Sequence, residues 1–471
     1  MKPKILLIKA KCNNFFGEAQ PPLGLLYISA SLKKEGYSEI ALFEAEKYSE
    51  RYKEKLKEIL DIHNPDIVGI SAITAESVSA HKMAEIIKNF NPKITVIIGG
   101  PYPSHYPEYA TKDKNIDFTV IGEGEKTVVE ILKHIENGRE KINEIRGIAY
   151  KKNDSIITNP PAILIDNLDE IPIPDWGLID FESYSNFIPQ SPFLYGKKYA
   201  VILTSRGCPW HCTYCHNIFG KKFRAHSPQR VIKEMEILYK EYGVENIEIT
   251  DDIFNLDLER AKKILKEKSQ RLPDVKLFFV NGLRGDILDD EFINLLKPSN
   301  TKYVTLALET GSAKIQKEIK KDMNLEKLYS NAGKIARKKI FTNMFVMFNF
   351  PKETISDVFQ TIKWLLKMPV HTFMPSYLMA YSNTEIAEHV ERNKVITPEN
   401  DIYIYISVKK FINYSNMKNW QLILLKIISN IIFYFFFPNR IYRIFRDMPY
   451  GDFKVLALLF KKLITRTLFP K

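Results

Sequence analysis

Residues 199–217 read YAVILTSRGCPWHCTYCHN. An apolar, β-branched run ends in a polar turn and a glycine, and Cys208, Cys212 and Cys215 follow in C-x-x-x-C-x-x-C spacing. A strand that opens straight into a ligand-bearing loop is how parallel α/β sheets deliver chemistry, at the carboxyl ends of their strands. Three thiolates on one tight loop suit three irons of a four-iron cluster. They leave the fourth iron without a protein ligand, where a small molecule with an amine and a carboxylate can chelate. Zinc is the competing reading, with the adjacent His216 as a fourth ligand. Against it, the spacing lacks the paired motif of common zinc folds, and the remaining cysteine, Cys12, is far away in sequence.

Working outward from the loop, the strand-like runs NIEITDD (246–252), KLFFVNG (276–282), YVTLALET (303–310) and FTNMFVMFNF (341–350) alternate with helical stretches such as PQRVIKEMEILYKEYG (228–243). Units of this kind in series predict a partial (β/α)6 barrel over 196–385. A second βα rhythm fills residues 1–140: KILLI, a helix through PPLGLLYISASLKKEG, EIALFEA, a helix to His63, DIVGIS, a helix from Ala75 to Phe90, TVIIGG, DFTVIG and a last helix. This is a Rossmann-like or flavodoxin-like parallel sheet. Between the two, 141–195 is rich in proline (NPPAI, IPIPDW, PQSP) and reads as an extended linker with one hairpin near Gly147 to Ile157. Residues 386–471 form a helical C-terminal region.

Composition agrees with this layout. At 471 residues the chain exceeds the size of one hydrophobic core, and 45% hydrophobic with 26% charged residues is ordinary for a globular α/β protein. Four cysteines, three of them within eight residues, form a ligand pattern rather than a disulfide framework and suit a reducing cytosol. The first apolar run reads as a strand and leads into no cleavage site. The net charge of +12 is local: residues 402–471 hold twelve Lys or Arg against Asp447 and Asp452. Within them WQLILLKIISNIIFYFFF (420–437) is interrupted by Lys426, Ser429 and Asn430, so it predicts basic amphipathic helices rather than a membrane span. Such helices either touch a membrane surface or pack on the barrel with their basic faces in water.

The cysteine loop after a strand, the barrel rhythm and the glycine-bearing N-terminal loops together resemble the radical S-adenosylmethionine superfamily. Within it they resemble the cobalamin-binding members, among them the anaerobic magnesium-protoporphyrin IX monomethyl ester cyclases and the cobalamin-dependent methyltransferases. The resemblance covers most of residues 1–385. It implies a 4Fe-4S cluster on Cys208, Cys212 and Cys215 that cleaves S-adenosyl-L-methionine reductively. It also implies that Tyr214 lies near the adenine, Asp251 and Asp252 near the methionine amino group, and Arg284 and Glu309 near the methionine carboxylate or ribose. In the N-terminal domain it implies cobalamin held by Ser71, Thr74, Gly99, Gly100, Gly122, Glu123 and Gly124. The D-x-H-x-x-G motif is missing, so no histidine from it reaches cobalt; His81, His105 and His134 read as surface or packing residues. Asn349 and Lys352 stand where the family has small residues.

The implied activity is methyl transfer to an unactivated carbon, with oxidative cyclisation of a tetrapyrrole or other hydrophobic substrate as the alternative. Methylthiotransferases acting on transfer RNA share the cluster motif, but they carry three further N-terminal cysteines and a C-terminal β-barrel, so no nucleic-acid partner is expected. A scaffold without turnover would hold zinc. The expected partners are a small, hydrophobic or lipid-like substrate and reduced flavodoxin or ferredoxin as electron donor. The expected location is the cytoplasm, with peripheral contact at the inner face of the membrane through the basic C-terminal region.

Overall fold

Apolar runs bounded by glycine, proline and capping residues become the strands of two parallel sheets. A computed structural model describes residues 2–12, 19–138, 141–153, 155–215, 218–397, 411–435, 437–451 and 455; His216 and the basic tail residues Lys454, Lys461, Lys462 and Arg466 lie outside them. The chain divides into two compact units that part between Ser183 and Tyr184.

The first unit runs β1 (Ile5–Lys9), α1 (Leu23–Lys34), β2 (Ile40–Glu44), α2 (Tyr52–His63), β3 (Ile67–Ser71), α3 (Ser77–Phe90) and β4 (Thr95–Gly99). It continues with α4 (Pro101–His105), α5 (Pro107–Lys112), β5 (Phe118–Val120), α6 (Gly124–Glu136), β6 (Ile148–Lys152) and β7 (Ser155–Thr158). The sheet order is β2-β1-β3-β4-β5-β6-β7. Its first five strands are parallel, and the β6–β7 hairpin is antiparallel. Side-chain alternation covers both faces: Leu6, Ile8, Val68 and Ile70 pack with Leu56, Leu60 and Met83 of α2 and α3. Ile5, Leu7 and Ile67 pack with Leu25, Leu32, Val129 and Leu132 of α1 and α6. Helices on both faces explain why these strands read as unbroken apolar runs.

The second unit runs β8 (Ala200–Ile202), β9 (Ser205–Arg206), β10 (Arg224–Ala225), α7 (Pro228–Tyr242), β11 (Asn246–Ile249), α8 (Leu258–Arg271), β12 (Lys276–Leu283) and α9 (Asp290–Leu296). It continues with β13 (Thr301–Glu309), α10 (Ala313–Glu318), α11 (Leu325–Arg337), β14 (Phe341–Phe348), α12 (Ile355–Lys367), β15 (Thr372–Tyr377), α13 (Asn419–Phe435) and α14 (Pro438–Asp447). Six strands in the order β15-β14-β13-β12-β11-β8 are all parallel, the expected partial barrel. Ser227, Asp257, Asp289, Ser312, Asn324 and Thr354 each accept an amide of the helix they begin. Caps of this kind stabilise by about 1 kcal/mol each. They fix where each loop at the barrel mouth ends.

The stretch expected as a linker is shared between the units: its hairpin extends the first sheet, and its last residues close the floor of the second. There the Phe193 ring centroid lies 4.6 Å from that of Phe341, which stacks on His371 at 4.7 Å. His371 in turn pairs with Asp447 of α14 at 3.0 Å, both side chains fully buried, and Tyr450 hydrogen-bonds Asn246 at the start of β11. The C-terminal helices are therefore part of this unit's floor and flank. No described helix is long and apolar enough to cross a bilayer; α13 and α14 reach that length and composition only as a pair bent by 77°.

Candidate active site

The cysteine loop is hung between β9 and β10, which pair antiparallel. Gly207 enters it at φ +83°, and a Cβ there would lie 2.3 Å from the Lys222 carbonyl oxygen, so only glycine lets the loop close. Backbone bonds hold the loop from outside: Thr213 N–H donates to Ile319 O (3.1 Å), and Ile386 N–H donates to Thr213 O (2.9 Å). Burial, followed by the Cys212, Asp252 and Cys208 charges, pushes the Cys215 thiol up to about 11. Burial likewise raises the Cys208 thiol, with Asp252 and Cys212 adding to it. Burial and the neighbouring negative charges thus disfavour the thiolate forms of Cys208 and Cys215 unless a cation is at hand. That donor set fits a cluster whose irons supply the positive charge. The remaining cysteine, Cys12, belongs to the first unit, where it is buried just past β1 and its amide donates to Glu46 Oε2 (3.1 Å).

Asp251, Asp252, Arg284 and Glu309 fall at the carboxyl ends of the neighbouring strands β11, β12 and β13, but in different states. Asp251 is buried, and its carboxylate accepts the Thr204 amide (2.6 Å), the Thr204 hydroxyl (2.5 Å) and the Ser205 hydroxyl (2.5 Å). It fastens the root of the cysteine loop. Asp252, exposed beside it, accepts the Gly207 amide, and its charge helps to raise the Cys208 and Cys215 thiols. Arg284, after β12, is also committed: Nε lies 3.1 Å from Asp286 Oδ1, and a terminal nitrogen donates to Lys321 O (3.1 Å) and Asp322 O (2.8 Å). Its guanidinium carbon sits 4.2 Å from the Trp210 ring centroid, so it links the cysteine loop to residues 321–322.

Tyr214 and Glu309 meet at a residue that sequence reasoning missed. Lys321 Nζ lies 3.4 Å from the Tyr214 hydroxyl and 3.4 Å from Glu309 Oε1. Burial and the Glu309 charge hold the Tyr214 hydroxyl well above its ordinary range. Glu309 closes β13 in a left-handed conformation, φ +59°, at a register shift against β14. Strain of this kind in a non-glycine residue persists where the surroundings over-determine it. The only trace of Lys321 in the sequence is a Lys-Lys pair just past the helix after β13. Asn349 and Lys352 also take positive φ, +78° and +61°. Asn349 makes that turn a hub, donating to Ile412 O (2.7 Å) and accepting the Tyr414 amide (2.9 Å). Asparagine is among the non-glycine residues that tolerate the left-handed region.

In the first unit Ser71, Gly99 and Gly100 stand at the ends of adjacent strands β3 and β4, beside the switch point between β1 and β3. Gly100 has φ +97°, and a Cβ on it would meet Ala72 O at 2.9 Å and Ser71 Oγ at 3.1 Å. Gly122, φ +86°, faces open space in which a Cβ would touch nothing within 4 Å. Thr74 begins the turn into α3 and is partly exposed. An edge of backbone and glycine suits the close approach of a broad macrocycle. Glu123 and Gly124 serve from behind. Glu123 Oε2 accepts the Ile165 amide (3.1 Å), and a Cβ on Gly124 would press on Ile28 of α1 at 3.0 Å. His81 is held by Asp113 (2.7 Å) and Tyr102 (2.9 Å), and His134 is buried edge-on to Phe118, both packing roles.

Residues 202–365 match the family model of the Radical SAM superfamily, and residues 15–132 that of the B12 binding domain. An uncharacterized methyltransferase of Pyrococcus horikoshii is 32% identical over 407 residues, 84% of this chain and 85% of the relative. The anaerobic magnesium-protoporphyrin IX monomethyl ester cyclase of Rubrivivax gelatinosus is 27% identical over 349 residues, 73% of this chain and 61% of the relative. Among solved structures, the radical S-adenosylmethionine methyltransferase TsrM of Kitasatospora setae, with cobalamin and a 4Fe-4S cluster bound, superposes with a TM-score of 0.70. At 20% identity, over 83% of this chain and 75% of that one, this is a likeness of fold.

Proposed function

Since the chain belongs to the cobalamin-binding branch of the radical S-adenosylmethionine superfamily, we propose that it transfers a methyl group to an unactivated carbon of a small, hydrophobic or lipid-like molecule. The observation that carries this reading is the gathering of three cysteine sulfurs, two acids and a lysine at one barrel mouth. When bound, the 4Fe-4S cluster supplies the electron that cleaves S-adenosyl-L-methionine, and cobalamin carries the methyl group.

The chain's own residues bind and orient. Cys208, Cys212 and Cys215 would hold the cluster, which would leave a site for the amino-acid end of S-adenosyl-L-methionine. Asp252 offers a carboxylate to that ligand's ammonium group. Glu309 and Lys321 present both charge signs, as a zwitterion with ribose hydroxyls requires. Tyr214 lends its ring to the adenine, while Asp251 and Arg284 keep the loop from shifting. Ser71, Thr74, Gly99, Gly100 and Gly122 line the corrin site, with Glu123 and Gly124 behind it. Electrons arrive from reduced flavodoxin or ferredoxin. The enzyme works in the cytoplasm, its C-terminal region in contact with the inner face of the membrane.

The likeness to the magnesium-protoporphyrin cyclase favours oxidative ring closure as a second reading. Anaerobic reconstitution with iron and sulfide, then cobalamin, S-adenosylmethionine and a strong reductant, tests both. Release of 5′-deoxyadenosine is expected, and a product heavier by one methyl group marks methyl transfer where ring formation marks cyclisation. A reconstituted protein that yields no 5′-deoxyadenosine would overturn both.

A further inference from the structure

Helices α13 and α14 are built inside out for a surface that meets water. Leu422, Leu425 and Phe433 of α13 are buried against the barrel, Phe433 with its centroid 4.7 Å from that of Phe373. On the opposite side Trp420, Leu424, Ile431 and Phe435 fall within about 60° of one another around the helix axis. They are exposed, Trp420 by 59% and Phe435 by 77%. Helix α14 goes further. Arg440, only 6% exposed, donates to Phe433 O (3.0 Å), Leu366 O (3.1 Å) and Met368 O (3.2 Å), and Arg443 donates to Pro369 O (2.6 Å). Its exposed positions include Ile441, Tyr442 and Phe445, with Tyr442 65% exposed, flanked by Asn439 and Arg446. A water-facing helix carries the reverse arrangement. Nine of the twenty exposed large apolar side chains among the described residues lie between 420 and 450, so this is a patch and not scatter.

We propose that the outer faces of α13 and α14 seat in the interfacial layer of a lipid bilayer, the bent pair lying along the surface. Lipid, rather than a second copy of the chain, is favoured by charge: residues 402–471 carry a net +10, with Lys454, Lys461, Lys462 and Arg466 close behind the patch in sequence, and anionic headgroups complement it. The exposed Trp, Tyr and Phe side chains are those that settle at a membrane–water boundary. Because Arg440 and Arg443 are turned inward, the hold comes first from the apolar faces and only second from charge. This deepens the reading above by naming the phase that supplies a hydrophobic substrate; the docking itself does not depend on the chemistry.

Flotation of the full chain with vesicles of phosphatidylcholine alone, and of phosphatidylcholine with phosphatidylglycerol, tests it at low and high salt. Binding to both is expected, tighter to the anionic vesicles, with most of it surviving high salt. The combined variant Trp420→Ser, Leu424→Ser, Phe435→Ser, Tyr442→Ser should weaken binding at least about tenfold and leave 5′-deoxyadenosine formation and thermal unfolding unchanged. If that variant does not fold, Phe435→Ser and Tyr442→Ser singly are expected to weaken binding by smaller factors. Absence of vesicle binding, binding that vanishes at high salt and ignores these substitutions, or a stable dimer that the variant splits would each overturn the proposal. The 5′-deoxyadenosine readout reports separately on the radical chemistry.

Discussion

The carboxyl edges of the two parallel sheets are made of different material. At the mouth of the second, side chains of both charge signs are packed together and largely committed to one another: Asp251 to Thr204 and Ser205, Arg284 to Asp286 and two carbonyls, Glu309 to Lys321. At the edge of the first, Gly99, Gly100 and Gly122 leave mostly backbone. A charged, preorganised pocket suits a small zwitterion; a bare edge suits a large ring that must come close. Removing a side chain should therefore damage the second edge, whereas adding one should damage the first.

The sharpest break is Cys212→Ala. It should bring 5′-deoxyadenosine formation to background and lower bound iron, while cobalamin uptake, followed by its visible spectrum, stays intact. Next is Gly100→Ala, whose Cβ would meet Ala72 O at 2.9 Å at a positive φ. A strained, overpacked site costs about 1–3 kcal/mol, so cobalamin affinity should fall about tenfold or more with cluster content unchanged. If both substitutions abolish both cofactors, the contrast between the edges fails. Lys321→Met should raise KM for S-adenosylmethionine about 10- to 100-fold, the scale of a lost charge-assisted hydrogen bond, and leave corrin binding alone.

The smallest effect is a pH dependence of the second unit. Burial raises Glu248 and Glu353 from the ordinary carboxyl value of 4.5 to about 8, against the pull of the Ser191 amide on one and the Asn349 and Phe350 amides on the other. The fold holds these protons more tightly than the unfolded chain. The stability they contribute is complete below about pH 4.5 and lost as pH climbs through about 8. Thermal midpoints should fall from roughly pH 6 to 9, and Gln at both positions should flatten that decline. An unchanged slope would refute the assignment.

What could be read in the residues themselves follows the same division. Both sheets were legible because parallel strands buried on two faces are unbroken apolar runs, and the cysteine spacing is explicit. The glycine loops were legible too, since glycine states its own reason for being there. Asp251 and Arg284 were harder: their types say that charge is present, but only the fold shows that neighbours have already claimed their polar atoms. The C-terminal arginines show the same limit. The sequence pattern places them on a basic outer face, turned to a membrane surface or to water, yet the carbonyls at the end of α12 lack helical partners and draw Arg440 and Arg443 inward. The proline-rich stretch also hid its division, because Phe193 packs on Tyr303 and Phe341, partners far away in sequence.

The buried pair His371–Asp447 spans 76 residues of sequence, and the bond from Asn246 to Tyr450 spans 204. During synthesis all three cysteines leave the ribosome long before the floor beneath them can be finished. A nascent chain halted anywhere in that interval would present all three cysteines before the floor of the second unit had closed.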